Sequence, residues 1–231
     1  MNLKNSHASF KNDYRMIKFV LLTITFSHNP RRDRTLKRLI LTITAIFVFL
    51  IPVFTQAASY QVDPDHSSFQ FSIRHMTVSN VKGDFKKVRG IVTIDESDIN
   101  GLKVDLTLDA SSVNTDHAKR DEHLRGEDFF HVAKYPTITF ISKKVIKVDA
   151  SRIKVVGDLT LRGVTKEVTV DVEGPTPEVK DLGGNIRRGA TGTSKINRKD
   201  FGIAWHKLLD NGGLVIGDDV NIAIEVELIR K

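Results

Sequence analysis

The feature that most constrains the fold is a strict alternation of apolar and polar side chains, repeated many times after residue 58. Such alternation is typical of strands with one buried face and one wet face. Continuous apolar runs, which mark a parallel sheet covered on both faces, are missing there. The apolar positions of shared parity are Phe69, Phe71 and Ile73; Val104, Leu106 and Leu108; Ile153, Val155, Leu159 and Leu161; Val168, Val170 and Val172; and Val220, Ile222, Ile224, Val226 and Leu228.

Turn signals separate these segments and predict hairpins. One hairpin joins 152–161 to 164–173 through Arg162-Gly163, and another joins 81–95 to 102–111. Many short strands linked by tight turns indicate an antiparallel sandwich or barrel.

One segment departs from this rhythm and predicts a short helix at about 115–125. Residues 114–126 begin with an Asn-Thr capping signal, contain no β-branched run and end at Gly126. A further strand is expected over 137–148. The sequence therefore predicts one all-β domain with a single short helix.

The N-terminal part has the organisation of a secretory leader. Residues 39–54 form an apolar run without any charged residue, and a small-x-small pattern follows at 55–57. The basic residues before the run are Arg31, Arg32, Arg34, Lys37 and Arg38. A basic stretch, an apolar core and a small-residue cleavage site define a signal peptide. We therefore expect a cleaved leader over 1–57 and an exported mature domain over 58–231.

Other interpretations of the leader stay open. The apolar run is shorter than the ~20 residues of a transmembrane helix, but it could serve as an uncleaved anchor. Translation could start at Leu36 if its codon is TTG, which would make 36–57 the functional leader. A twin-arginine signal at Arg31-Arg32 fits its flanking residues poorly.

The charge of the chain comes from the leader. Nine Lys and Arg and two Asp precede Ala58, which leaves 26 basic and 26 acidic residues in 58–231. A neutral domain offers no basic footprint for nucleic acid. Cysteine is absent from the sequence, which excludes thiol catalysis and Cys-ligated metals.

Five separated motifs cover nearly all of 59–229. They are Tyr60-x-Val62-Asp63-x-x-His66-Ser67 with Phe71-x-Ile73-Arg74-His75; Asp121-x-His123-Leu124 with Asp128-Phe129-Phe130 and Tyr135-Pro136-x-Ile138-x-Phe140; the hairpin Gly157 to Lys166; Arg198-Lys199-Asp200-Phe201-Gly202-Ile203; and Asp219-Val220-x-Ile222-x-Ile224-Glu225. Together these motifs resemble one known family, the YceI-like polyisoprenoid-binding proteins. The resemblance implies a lipocalin-like antiparallel β-barrel of about eight strands that is exported to the periplasm. It also implies an interior pocket for an isoprenoid or another long aliphatic chain.

On this basis the expected ligand contacts are His66, Phe69, Phe71, Ile73, His75, His123, Phe129, Phe130, Phe140 and Ile224. We expect His66, His75 and His123 to form a polar network near the barrel mouth. No catalytic residue, metal site or cofactor is expected, although an isoprenoid quinone could be the bound ligand. The expected partner is a long-chain lipid and not nucleic acid, and the sequence leaves transient membrane contact and a homodimer open.

Two other functions are compatible with the same residues. In one, side chains plug the barrel completely and the protein acts in stress-related interactions. In the other, the protein is an enzyme acting on a lipid or quinone, with His75, Asp121 and His123 as acid and base groups. The apolar residues of a pocket wall and of a filled core look identical in sequence, so the pattern does not separate these hypotheses.

Overall fold

The computed structural model describes residues 57–210 and 212–231, which are built mainly from antiparallel strands. Apart from Ala57, the expected leader lies outside the described residues. The strands are β1 (Ala58–Val62), β2 (Ser68–His75), β3 (Ser79–Phe85), β4 (Val88–Ile94), β5 (Lys103–Asp109), β6 (Val113–Asn114), β7 (Thr137–Lys147), β8 (Arg152–Leu161), β9 (Val164–Glu173), β10 (Val179–Lys180), β11 (Ile186–Asn197) and β12 (Ile216–Arg230), and the helix is α1 (Ala118–Arg125).

Eight of these strands close into a barrel. Their order around the wall is β11, β9, β8, β7, β5, β4, β1 and β12, and β12 pairs back with β11. The closing ladder runs from Arg187 opposite Ile229 to Asn197 opposite Asp219. The predicted eight-stranded antiparallel barrel is confirmed, as is the hairpin of β8 and β9.

The long strand β12 also pairs with two strands, β1 and β2, along its other edge. Its last residues pair with β1, with Leu228 opposite Val62. Its earlier residues pair with β2, up to Ile216 opposite His75. The β2–β3 ribbon therefore extends the wall beyond β1. We call the end that carries the β2–β3 turn and α1 the helix end, and the opposite end the closed end.

Apolar side chains from β1, β4, β7, β8 and β12 fill the closed end. Tyr60, Ile94 and Leu228 are almost completely buried there. A smaller cluster at the helix end contains Phe201 and Leu161. Each fully buried side chain of this size contributes roughly 1.5–3 kcal/mol to folding, so these two clusters anchor the barrel at both ends.

The helix α1 begins later than its sequence signal suggests. His117 caps it, with Nδ1 accepting a hydrogen bond from the Arg120 N–H at 3.3 Å. The expected cap residue Thr115 instead donates its hydroxyl to the Asp121 carboxylate at 2.5 Å. The helix ends before Gly126, as predicted. The helix begins later because the Thr115 side chain bonds to Asp121 and is therefore not available to cap the helix.

None of the helices within residues 57–210 and 212–231 is long and apolar enough to cross a membrane.

A bulge in β7 makes Gly157 of β8 sensitive to substitution. The register shifts between Ser142 and Lys144, and Gly157 stands opposite Ser142. A Cβ atom added at Gly157 would lie 2.5 Å from the Ile141 carbonyl oxygen and 2.6 Å from the Phe140 ring. Because the backbone oxygen cannot move aside cheaply, Gly157→Ala should lower the free energy of unfolding by about 1–3 kcal/mol.

Urea denaturation checks this value. Gly101→Ala is the matched control, since the Cβ atom there meets nothing closer than 3.8 Å. Equal stability of the two variants would contradict the expected clash.

Candidate ligand-binding cavity

The barrel encloses a cavity of about 430 Å³. Its volume falls within the roughly 300–1,000 Å³ typical of small-molecule sites. The wall is formed by the inward-facing residues Phe69, Phe71 and Ile73 of β2, Val104, Leu106 and Leu108 of β5, Ile153, Val155, Leu159 and Leu161 of β8, Val168, Val170 and Val172 of β9, and Val220, Ile222, Ile224, Val226 and Leu228 of β12.

These wall residues are the parity sets predicted from the sequence. Many of them are only partly buried although they point inward, for example Ile73, Ile222 and Ile224. An inward apolar side chain keeps accessible surface only where no other side chain packs against it. The middle of the barrel is therefore a cavity and not a filled core.

Small residues on β11 help to keep this space open. Ala190, Gly192 and Ser194 stand at inward positions of the wall. Gly192 lies opposite Ile224 of β12, and a Cβ atom added to it would come within 3.1 Å of Val170. A larger side chain here would project into the cavity. The sequence analysis missed β11 because these positions are small and show no apolar alternation.

The cavity opens at the helix end. His123 and Trp205 line it there, and His123 is exposed while Trp205 is half-buried. Their rings lie edge to face with centroids 5.7 Å apart, and Phe129 contacts both. His123 Nε2 is 2.8 Å from an Asp128 carboxylate oxygen. The opening is thus bordered by aromatic rings with a polar group facing water.

A buried arginine fixes the backbone next to this opening. Arg198, which is 3% exposed, donates to the carbonyls of Ile203, Trp205 and Gly217 at 2.6–2.8 Å. It also forms an ion pair with Asp218 at 3.0 Å. Burial lowers the pKa of Arg198, and Asp218 opposes that effect. Arg198 is a wall residue of the cavity, so it joins the cavity to the segment that carries Trp205.

The closed end is sealed by packing and by one hydrogen bond. Tyr60 is fully buried, and its hydroxyl donates to Glu178 at 2.5 Å. Burial, with the carboxylate of Glu178, raises the pKa of Tyr60. The guanidinium of Arg188 lies 5.5 Å from the centre of its ring. Packed side chains therefore block the barrel around Tyr60.

Nine of the ten expected ligand contacts lie around this cavity. They are Phe69, Phe71, Ile73, His75, His123, Phe129, Phe130, Phe140 and Ile224. His66 lies apart from them, in the β1–β2 loop outside the barrel wall. The expected polar network of three histidines at the mouth is therefore not formed, because His66 pairs with Asp63 at 2.8 Å instead. Sequence analysis also missed Val81, Val215 and Ile216, which complete the wall.

The three groups of the enzyme hypothesis do not meet at one point. His75 and His123 border the cavity, but Asp121 is not among its wall residues. Asp121 is buried and accepts hydrogen bonds from the backbone N–H and the hydroxyl of Thr115 at 2.9 and 2.5 Å. Its carboxylate fastens the start of α1 to the preceding loop.

A polar cluster surrounds His66 on the outer face of the barrel. Ligand atoms of Asp63, His66 and Glu227 lie within 4.8 Å of one another. Arg187 donates to Asp63 at 2.6 Å and to Glu227 at 3.0 Å, and its Nε donates to Asp181 at 2.6 Å. A guanidinium thus supplies the positive charge between these carboxylates. The cluster joins the β1–β2 loop to β11 and β12.

This cluster predicts a loss of stability in acid. The Arg187 guanidinium holds the pKa of Asp63 at about 2, below its ordinary value. The folded state therefore binds the proton less readily than the unfolded chain. The stabilisation is complete above the unfolded pKa of about 4 and disappears as the pH falls towards 2. Partial solvent screening limits it to the order of 1 kcal/mol.

Urea midpoints measured between pH 6 and pH 2.5 test this pH dependence. Asp63→Asn should be less stable at pH 6 and should vary less over the acid range. The matched control is Asp65→Asn, an exposed carboxylate two residues further on. An unchanged acid slope in Asp63→Asn would refute the role of Asp63.

These observations define an antiparallel β-barrel with an apolar interior cavity, a class that holds small apolar molecules. The YceI-like domain matches residues 60–228. A UPF0312 protein of Staphylococcus aureus (strain MSSA476) is 38% identical over 169 residues, covering 73% of this chain and 96% of that protein. The chain belongs to the YceI-like family.

Solved structures show the same fold. The YceI protein of Campylobacter jejuni superposes with a TM-score of 0.59 at 36% identity, covering 67% of this chain and 87% of its own. A polyisoprenoid binding domain from Saccharophagus degradans, implicated in plant cell wall breakdown, superposes with a TM-score of 0.54 at 18% identity, covering 76% and 100%. The second likeness concerns the fold alone.

Proposed function

We propose that this protein is a carrier for a long-chain isoprenoid or a similar amphiphilic lipid, held with its tail inside the barrel. The observation that carries the proposal is the apolar cavity inside the barrel. Its wall is made almost entirely of Val, Leu, Ile and Phe side chains. Such a wall binds by removing hydrocarbon from water and needs no specific polar contact.

The energetics favour a long tail. Burial of each methylene contributes roughly 0.8 kcal/mol before the costs of binding. A chain of about twenty carbons would therefore gain about 16 kcal/mol of gross energy if it were completely buried. Selection by such a cavity depends on the length and bulk of the tail.

The polar groups of the mouth suit a head group that stays near water. His75, Arg120 and His123 are wall residues at the helix end. Arg120 donates Nε to the hydroxyl and Nη2 to the carbonyl of Thr115, both at 2.7 Å, which leaves Nη1 of its guanidinium for a ligand. A quinone carbonyl or another oxygen acceptor fits these donors, and an isoprenoid quinone is therefore a suitable ligand.

The comparisons supply independent support. A solved neighbour with this fold is named as a polyisoprenoid binding domain. The family match extends over the whole barrel and includes all strands of the cavity wall. The plugged-barrel hypothesis requires a filled interior, and the 430 Å³ cavity argues against it. A carrier role also needs no catalytic group, which suits the separation of Asp121 from the cavity.

We further propose that the protein works in the periplasm. The support is the order of basic residues, apolar run and small residues before Ala58, which is the order of a cleavable signal peptide. The neutral charge of 58–231 suits a freely diffusing domain. Mass measurement of the protein recovered from the periplasm should give a chain that starts at Ala58. A chain that retains 39–54 would support an uncleaved anchor instead.

Mass spectrometry of organic extracts tests the carrier function directly. The protein should be purified from the periplasm without detergent, with an equally sized periplasmic protein extracted in parallel. We expect one dominant isoprenoid or long-chain amphiphile in near-stoichiometric amount. A folded protein that yields no lipid, and that takes up none from added vesicles, would refute the proposal.

A further inference from the structure

We propose that the helix end docks on the surface of an anionic phospholipid bilayer, so that a lipid can pass directly between membrane and cavity. The docking surface consists of Met76, Val78 and Leu208 together with the basic residues Arg74 and Lys207, and we call it the rim surface. This inference rests on the proposed carrier function and assigns a membrane-contact site to it.

The rim surface is formed by two segments that are hydrogen-bonded to each other. The Met76 N–H at the β2–β3 turn donates to the Val215 carbonyl at 2.9 Å. The Val215 N–H in turn donates to the Lys207 carbonyl at 2.9 Å, and Leu208 pairs with Leu214. Val215 and Ile216 are wall residues of the cavity. The rim surface is therefore continuous with the cavity mouth.

Three large apolar side chains of the rim surface face water. The exposed fractions are 40% for Met76, 79% for Val78 and 60% for Leu208. Grouped exposed apolar residues on a water-soluble domain are typical of an interaction site. Here they adjoin the opening through which an apolar ligand must pass. The hydrocarbon interior of a bilayer is therefore the partner that would extend the apolar surface of the cavity wall.

The turn that presents Met76 is held in an unfavourable backbone conformation. Met76 and Thr77 have φ angles of 50° and 60°, where Asn-Gly is the preferred pair. Arg74 stabilises this turn by donating to the Thr77 carbonyl at 2.6 Å. A β-branched residue in this region is costly and is typical of positions kept for function.

The charge of the rim surface favours an anionic partner. Within the part of the chain that the structure describes, Arg74 and Lys207 have no carboxylate within 4.0 Å, whereas all three basic residues of β11 are paired. Asp210 is the acidic residue of the same hairpin segment. A basic residue near an anionic bilayer strengthens binding about fivefold.

Vesicle binding tests the inference. The vesicles contain phosphatidylcholine and phosphatidylglycerol in a ratio of 7:3, and the test variant combines Met76→Ser, Val78→Ser and Leu208→Ser. Val179→Ser with Leu182→Ser is the control, because both residues are highly exposed but lie in β10 and just after it, away from the helix end. We expect the test variant to bind more than tenfold more weakly and the control to bind like the wild type.

Fluorescence locates the contact. Trp205 is the single tryptophan of the chain and borders the mouth. Phosphatidylcholine brominated on its acyl chains should quench it in the wild type and in the control, but not in the test variant. Lys207→Gln should weaken binding to the anionic vesicles about fivefold and leave binding to pure phosphatidylcholine unchanged.

Uptake from solution separates this inference from the carrier function. All variants should bind 11-(dansylamino)undecanoic acid, a soluble long-chain probe, with equal affinity. If the probe binds but wild type and test variant bind vesicles equally, or not at all, the docking surface is refuted and the carrier function stands. If the substitutions of the test variant change the oligomeric state measured by sedimentation but leave vesicle binding unchanged, the rim surface is an interface between copies of this chain and the inference is wrong.

Discussion

Replacement of Arg198 by methionine is expected to lower the free energy of unfolding by about 3 kcal/mol or more. Arg198 is 3% exposed and donates to three backbone carbonyls, those of Ile203, Trp205 and Gly217. Methionine fills a similar volume but provides no donor. The three carbonyls would then be left without the partner that satisfies them away from water.

The neighbouring Lys199 provides a matched control. It contacts the same carboxylate, Asp218, at 2.8 Å, but its side chain is 45% exposed. Exposed ion pairs contribute about 0–1 kcal/mol, so Lys199→Ala should have a small effect. Guanidinium denaturation with Trp205 fluorescence measures both variants and also reports the environment of the mouth. If Arg198→Met lost less stability than Lys199→Ala, Arg198 would not hold the segment that carries Trp205.

Replacement of Ile224 by aspartate is expected to weaken binding of a long-chain ligand at least a hundredfold. Ile224 faces the cavity and stands between Gly192 of β11 and Phe69 of β2. A carboxylate at this position must either lose its water to an incoming hydrocarbon chain or keep that water and exclude the chain. Either outcome costs several kcal/mol, and each 1.4 kcal/mol changes affinity tenfold.

Ala223→Asp introduces the same charge one residue earlier on the same strand. Ala223 is exposed, so it lies on the outer face of the wall. This control should retain the ligand. Titration with 11-(dansylamino)undecanoic acid and a thermal melt distinguish lost binding from lost folding. A folded Ile224→Asp protein that binds the probe like the control would show that the chain does not occupy this cavity.

The sequence alone indicates the position of one of these two residues in the fold but not that of the other. Ile224 belongs to an alternating strand, and its inward direction follows from the parity of Val220 and Ile222. Arg198 lies in a short motif without periodicity, and nothing local indicates that its side chain is buried. Its role depends on the carbonyls of Ile203, Trp205 and Gly217, which follow it by 5, 7 and 19 residues and which only the folded chain brings within 3 Å of its side chain.

His66 and His123 show the same limit for the candidate site. Both stand in family-like motifs, and their residue type suits a polar group at a mouth. The structure places His123 at the opening and His66 on the outer face, beside Asp63 and Arg187. The direction of a loop side chain depends on its ion-pair partners, and Arg187 is more than a hundred residues away in the chain.

The sequence by itself determined most of the strands, though not β11, together with the face that each of them buries, the short helix and the all-β class. The physical reason is that the period of two is local, since successive side chains of a strand point to opposite sides. The choice of a barrel over a sandwich came from the resemblance of its motifs to the YceI-like family. The tertiary structure decided whether the inward side chains of opposite barrel walls contact each other or leave a cavity between them. Closure of β11 on β12 sets the width of the barrel, and the small residues Ala190, Gly192 and Ser194 leave its middle open. A cavity depends on the distance between walls, and non-local strand pairing fixes that distance.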